Sequence, residues 1–229
     1  MNQSFSISQV ITQSWKLIKT NYKFIVPAIL ASTFILGVIQ YLTMKTEDTF
    51  IPSLIVTVIS IVVSLALSIG WTNVIFKLMR GSSKKWQDFK TDAKIWGKVF
   101  LGQLLITIPA MIVFGIIIVL TIFLQSTLLG ILDVIFGIIA LVYISVRFMF
   151  LTAVAVDHPE LEVIALVKKV AKITRGYFFD LLGFSFVMFL LILGGLLLVG
   201  VGLFIAIPLT MIAQLFVYEK IHGESMKNN

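Results

Sequence analysis

Long apolar runs, separated by short basic segments, dominate the chain. From Phe24 to Met44 no charged side chain occurs, and Lys45 ends the run. A second run extends from Ile51 to Ile75 and stops at Lys77, and a third covers Val99 to Leu124. The fourth runs from about Leu128 to Thr152, with Gln125, Ser126 and Thr127 the only polar interruption before it, which predicts a tight reversal. A helix needs about 20 apolar residues to cross roughly 30 Å of hydrocarbon, so each run predicts one span. The last run, Leu181 to Tyr218, has no charge at all. As one helix it would be about 57 Å long, so it must fold back. Gly200 and Gly202 near its middle permit the turn, whereas a turn at Gly194 and Gly195 would leave the first half too short. The pattern predicts an all-α polytopic membrane protein with six transmembrane helices in one membrane domain covering residues 1–229.

The segment ahead of each pair of spans has helical rather than continuous hydrophobicity. In the first, Ile7, Val10, Ile11, Trp15, Ile18 and Tyr22 share one face, opposite Gln9, Gln13, Lys16, Lys19 and Lys23. Ser6 and Gln9 form a capping-box pattern, with Phe5 and Val10 placed as a hydrophobic staple. The second segment places Trp86, Phe89, Ala93 and Trp96 on an apolar face, and the third Val163, Leu166, Val170, Ile173 and Tyr177. Pro159, Glu160 and Glu162 precede the third helix, Lys172 and Arg175 lie in its last turn, and Gly176 closes it; this charge order complements the helix dipole. These segments recur about every 75 to 80 residues. The expectation is three hairpins, each preceded by an interfacial helix, as pseudo-repeats of about 1–80, 81–157 and 158–229. The stretch from Trp15 to Tyr22 aligns without a gap on Val170 to Tyr177.

Composition strengthens this picture. Hydrophobic residues make up 59% of the chain and charged residues 13%, against the roughly 25% usual for soluble domains. Apart from Lys45 and Arg147, the basic residues lie in the N-terminal segment, the second and fourth connections and the tail, while the opposite connections carry Lys45 against Glu47, Asp48 and the nearby Asp133. By the positive-inside rule both termini lie in the cytoplasm, in a multi-pass plasma-membrane protein. The net charge of +7 is therefore assigned to an anionic membrane surface and not to nucleic acid. The first 22 residues are polar and patterned, unlike a cleavable signal peptide.

Candidate chemistry is sparse. Arg147 lies within the fourth apolar run, and an arginine at membrane depth is costly and usually faces the bundle interior. The topology brings Asn73, Gln103, Asp180, Gln214 and Tyr143 to the same half of the bilayer. These residues are candidates for a cytoplasm-facing polar cavity with Arg147 as an anion-binding centre and Asp180 as its resting partner. The alternative is an Arg147 that snorkels or locks the structure through carbonyls and one carboxylate. Lys16, Lys19, Lys90, Lys94, Lys169 and Lys172 are candidate contacts to lipid headgroups, at roughly 1 kcal/mol per near-surface cation; packing of these helices on the bundle would account for the same pattern. Ser60, Ser64, Ser68 and Thr72 recur at four-residue steps, which favours close helix packing over a polar pathway. The chain has no cysteine, and nothing near His158 or His222 in sequence completes a metal-ligand cluster, so no metal or cofactor is expected. Walker-type, nucleophile-elbow, paired-histidine and clustered-aspartate signatures are missing, so the chain is expected not to be an enzyme.

Three stretches resemble the membrane domain attached to some glycerophosphoryl diester phosphodiesterases and related six-span bacterial inner-membrane proteins. They are Phe5-Ser-Ile-Ser-Gln-Val-Ile-Thr-Gln-Ser-Trp15, Tyr143-x-x-x-Arg147-Phe148, and Glu162 to Tyr177 with its ending Thr174-Arg175-Gly176-Tyr177-Phe178. In the third, Ala165 fits the pattern, but Lys169 stands where it has serine. The resemblance implies a prokaryotic plasma membrane and a role in lipid, envelope or transport processes, with phosphodiester chemistry confined to a separate soluble barrel. The expected function is a non-enzymatic membrane protein that binds headgroups or supports an envelope process. The alternatives are a small-solute transporter or channel built around Arg147, and a membrane enzyme acting on lipid.

Overall fold

The computed structural model describes residues 5–82, 86–90, 92–124, 127–198 and 202–227. These are helical apart from their connections, with no strand among them. The helices are α1 (Ile7–Thr46), α2 (Phe50–Met79), α3 (Ala93–Leu124), α4 (Thr127–Phe148), α5 (Leu151–Asp157), α6 (Val163–Ile173), α7 (Phe178–Leu197) and α8 (Leu203–Lys227). Six helical segments are long and apolar enough to cross a membrane, α5 continuing the fourth of them.

Helix α1 contains both the first amphipathic segment and the first span, joined across a kink at Asn21 (φ −119°, ψ 16°). There the Asn21 amide donates to the Leu17 carbonyl at 2.8 Å, which satisfies a group that the kink would otherwise leave bare. The buried face is rotated from the expected one. Val10, Ser14, Ile18 and Asn21 are buried, whereas Trp15 and Tyr22 are 37% and 54% exposed. Ser14 tolerates burial because its hydroxyl donates to the Val10 carbonyl at 2.8 Å. Trp15 lies at the edge instead, with the Lys19 ammonium 5.3 Å from its ring centre. The expected capping box does not form: Ser6 is the extended N-cap, but its side chain makes no capping bond. Phe5 and Val10 are both buried, as a staple requires.

The second amphipathic segment is not one helix. Trp86–Phe89 is a short 3₁₀ turn, and Ala93 and Trp96 belong to the first turn of α3. Two anchors separate them. Asp88 is ion-paired to Lys77 on α2 at 2.7 Å, and its carbonyl accepts from Asn73 at 2.8 Å. Asp92 then accepts from the Lys94 backbone N–H at 3.0 Å and starts a new helix. Gly70 makes room for the docked turn, since a Cβ there would lie 2.9 Å from the Phe89 ring and 3.1 Å from its carbonyl oxygen. The third segment is helix α6, with Leu166, Val170 and Ile173 buried and Gly176 at φ +89° ending it.

The last apolar run forms two helices. Helix α7 passes through Gly194 and Gly195 to Leu197, and α8 begins just after Gly202; Gly200 lies outside the described residues, as do Lys84, Lys85, Gln125 and Ser126. The two helices meet at Gly195 and Gly202, where a Cβ on Gly202 would stand 2.7 Å from the Gly195 Cα. Helix α1 packs against α2 and α8, α3 against α4, and α7 against α8, while α5 touches α2, α3 and α6. The core, including Ile25, Ile75, Phe150, Leu166, Phe184 and Tyr218, is concentrated toward one end of the bundle. We call it the basic end: Arg80 after α2, Lys98 in α3, Asp157 closing α5 and Glu219 in α8 all meet there.

Candidate functional site

The basic end is organised around Asp157. Helix α5 exists because the fourth apolar run breaks at Met149 and Phe150, where Phe150 has φ −95° and ψ 10°. The break leaves carbonyls that water cannot reach in hydrocarbon, and side chains take them. Gln214 of α8 donates to the Met149 carbonyl at 2.6 Å, and Thr174 donates to the Arg147 carbonyl at 3.0 Å. Helix α5 then delivers Asp157 to a gap between α2 and α8. Arg80 Nη2 donates to Asp157 Oδ1 at 2.7 Å, and the buried Tyr218 hydroxyl donates to Oδ2 at 2.9 Å. Arg80 also reaches Glu219 at 3.6 Å and lies 4.8 Å over the Phe76 ring. The Asp157 hydrogen bond holds the Arg80 guanidinium above its ordinary pKa.

Two histidines complete this cluster. His158 Nε2 is 3.7 Å from Asp157 Oδ2, and Nδ1 is 3.1 Å from Glu160. His222 stacks on Tyr218, the rings 5.5 Å apart and 7° from parallel, and its ring centre is 5.4 Å from that of His158. The structure thus gathers Asp157, His158 and His222, although nothing near either histidine in sequence completes such a cluster. Far apart in sequence, the two histidines are brought together by the packing of α6 and α5 against the end of α8. The sequence does contain the Tyr218-x-x-x-His222 spacing that stacks the two rings one helical turn apart, but nothing in it links this pair to Asp157.

A second feature lies on the same end. Gln13, Lys16, Leu17, Thr20 and Asn21 of α1, together with Leu78, Gly81, Ser82 and Phe216, line a groove of about 430 Å³. From α1 it receives one ammonium, two carboxamides and one hydroxyl, with apolar lining from Leu17, Leu78 and Phe216. Of the other candidate headgroup contacts, Lys19, Lys90, Lys94 and Lys172 are exposed. Lys169 is half-buried: desolvation holds its ammonium below the ordinary pKa against the opposing pull of Glu160 and Asp157. It faces the Asp157 cluster rather than a free surface.

The candidate cavity residues do not converge. Asn73 is spent on the Asp88 carbonyl and Gln214 on that of Met149. Tyr143 is half exposed and its ring lies 5.2 Å from that of Phe178. Gln103 lines a separate groove of about 360 Å³ with Thr107, Ser145 and Thr152. Among the described residues no ion pair reaches the Arg147 guanidinium. The motif containing Arg147 does meet the α6 ending, through Tyr143 with Phe178 and Thr174 with the Arg147 carbonyl. Of the small-residue positions on α2, Thr72 is buried. Ser64 and Ser68 border a cavity of about 240 Å³ with Ser32, Thr33 and Trp71, and the Trp71 indole donates to Ser32 at 3.1 Å.

No family model, no curated protein and no solved structure matches the chain. The resemblance to phosphodiesterase membrane domains thus rests on the three stretches quoted above.

Proposed function

We propose that the chain is a non-enzymatic, multi-pass protein of a prokaryotic plasma membrane that binds anionic lipid headgroups at its cytoplasmic face. In this reading both termini and the basic end lie in the cytoplasm. The three units of interfacial segment, span, turn and span then share one orientation, as pseudo-repeats each containing two spans. The single observation that carries the reading is the α1 groove, where Lys16, Gln13 and Thr20 share the lining with Leu17, Leu78 and Phe216. A phosphodiester headgroup needs a cation and a donor beside apolar surface that accepts the first carbons of the chains; Lys16 and Gln13 supply the first two, while Thr20 and Asn21 donate to the Lys16 and Leu17 carbonyls. Trp15 and Tyr22, exposed beside the lysines, suit the headgroup level of a bilayer. In the Asn21–Gly176 correspondence of the aligned stretches, both residues interrupt a helix directly before a tyrosine, which accords with repeated units.

Native mass spectrometry of the protein in nanodiscs of mixed phosphatidylglycerol and phosphatidylcholine tests the reading. Retention of phosphatidylglycerol, reduced several-fold in Lys16→Gln, is the expected outcome. Equal retention of both lipids would remove the headgroup role. A solute pathway around Arg147 is the rival, and the dispersal of its six polar residues argues against it. Substrate-independent ion flux in liposomes, abolished by Arg147→Gln, would favour that rival.

A further inference from the structure

We infer that Asp157, His158 and His222 form a binding site for a divalent transition-metal ion of the zinc class. One ligand atom from each lies within 4.8 Å of the other two. His158 Nε2 and His222 Nδ1 are both buried and have no hydrogen-bond partner among the described residues. Two orphaned imidazole nitrogens beside one carboxylate call for a cation, because a buried polar atom left without a partner is destabilising.

The proton on His158 follows from its neighbours. Ionised Glu160 only accepts, so a neutral His158 places its N–H on Nδ1, 3.1 Å from Glu160. Nε2 then presents a lone pair to Asp157 Oδ2 across 3.7 Å, too far for a hydrogen bond and repulsive without a positive charge between them. A metal answers both problems. Nitrogen and carboxylate donors bind zinc at about 2.0–2.2 Å, so two donors on one ion lie at most about 4.2 Å apart. The 3.7 Å pair already satisfies this, and the group as a whole, within 4.8 Å, contracts onto one ion when it binds. Glu160 is then the outer carboxylate that orients a metal-bound imidazole, and Tyr218 orients both Asp157 and His222.

The surrounding charges are compatible. Arg80 holds Asp157 Oδ1, while Oδ2, which accepts from Tyr218, is the oxygen 3.7 Å from His158. Lys169 opposes a cation, while Glu160 and Glu219 favour one. Imidazole donors select zinc, copper or nickel over magnesium and calcium, which prefer all-oxygen shells. This site is independent of the α1 groove.

The test uses the full chain, purified in detergent, stripped with a chelator and titrated with Zn²⁺ by calorimetry. One zinc per chain, not displaced by a hundredfold excess of Mg²⁺, is expected, with affinity at least tenfold weaker in His158→Gln and in His222→Gln. Lys220→Gln should bind as the parent does. If either histidine variant fails to fold, zinc-edge X-ray absorption of the unmutated protein decides, and two imidazoles in the first shell are expected. Absence of stoichiometric binding, unchanged affinity in both histidine variants, or fewer than two imidazoles would overturn the site.

Discussion

The two halves of helix α2 differ sharply. Toward the basic end, Ile69, Trp71, Val74, Ile75, Phe76 and Leu78 are all buried; toward the other end, Ile51, Leu54, Ile55, Val58 and Ile59 are all exposed. The exposed half is the more apolar of the two, since Thr72, Asn73 and Lys77 all lie in the buried half. The difference is made by polar fastening. At the basic end Lys77, Arg80, Asn73, Asp157 and Tyr218 tie α2 to its neighbours by bonds that hydrocarbon cannot replace. At the other end the described tie between helices is the Thr121–Asp133 hydrogen bond of the α3–α4 pair. In a bilayer, burying apolar surface against protein gains little over burying it against lipid, so packing follows the polar contacts and small residues.

Substitutions should therefore separate the halves. Tyr218→Ala removes a fully buried ring packed against Phe76 and Phe150 and strips Asp157 of a donor. It should lower stability by about 3–5 kcal/mol, read as the midpoint of denaturant unfolding in micelles. A loss below about 1 kcal/mol would mean the basic end is no better packed than the rest. Gly202→Ala comes next, at about 1–3 kcal/mol, because its Cβ meets Gly195 backbone rather than a movable side chain. Gly115→Ala, with open space around it, serves as the neutral control. Gln214→Leu should cost about 1–2 kcal/mol by exposing the Met149 carbonyl, and amide exchange around Phe150 should accelerate. Phe136→Leu, on the exposed flank of α4, should stay within about 0.5 kcal/mol. A large effect there would show that the outer half packs against something beyond lipid.

These contrasts also explain what could be read from residues alone. The runs ending at Lys45 and Lys77, and the uncharged stretch from Leu181 to Tyr218, announce their helices because a bilayer imposes length and polarity on any span. Helix α6 was legible because its aliphatic face and Gly176 agree. The break at Met149 was not, since no glycine or proline marks it and its carbonyls are satisfied from Thr174 and Gln214, distant in sequence. The Trp86 segment misled because its apolar spacing is helical, while Asp88 and Asp92 fix its backbone in two pieces. The site was the least legible. Arg147 draws attention as a lone charge in a hydrophobic run, yet the residues that gather are Asp157, His158 and His222, each unremarkable at a run's edge.

The loosely tied outer ends of α3 and α4 bear on how the molecule meets membranes of different thickness. Hydrophobic mismatch is absorbed by helix tilt, and tilt is cheapest where few side chains must repack. A thinner bilayer would be accommodated by leaning that pair outward from its foot near Lys98 and Phe148, leaving the Asp157 cluster undisturbed.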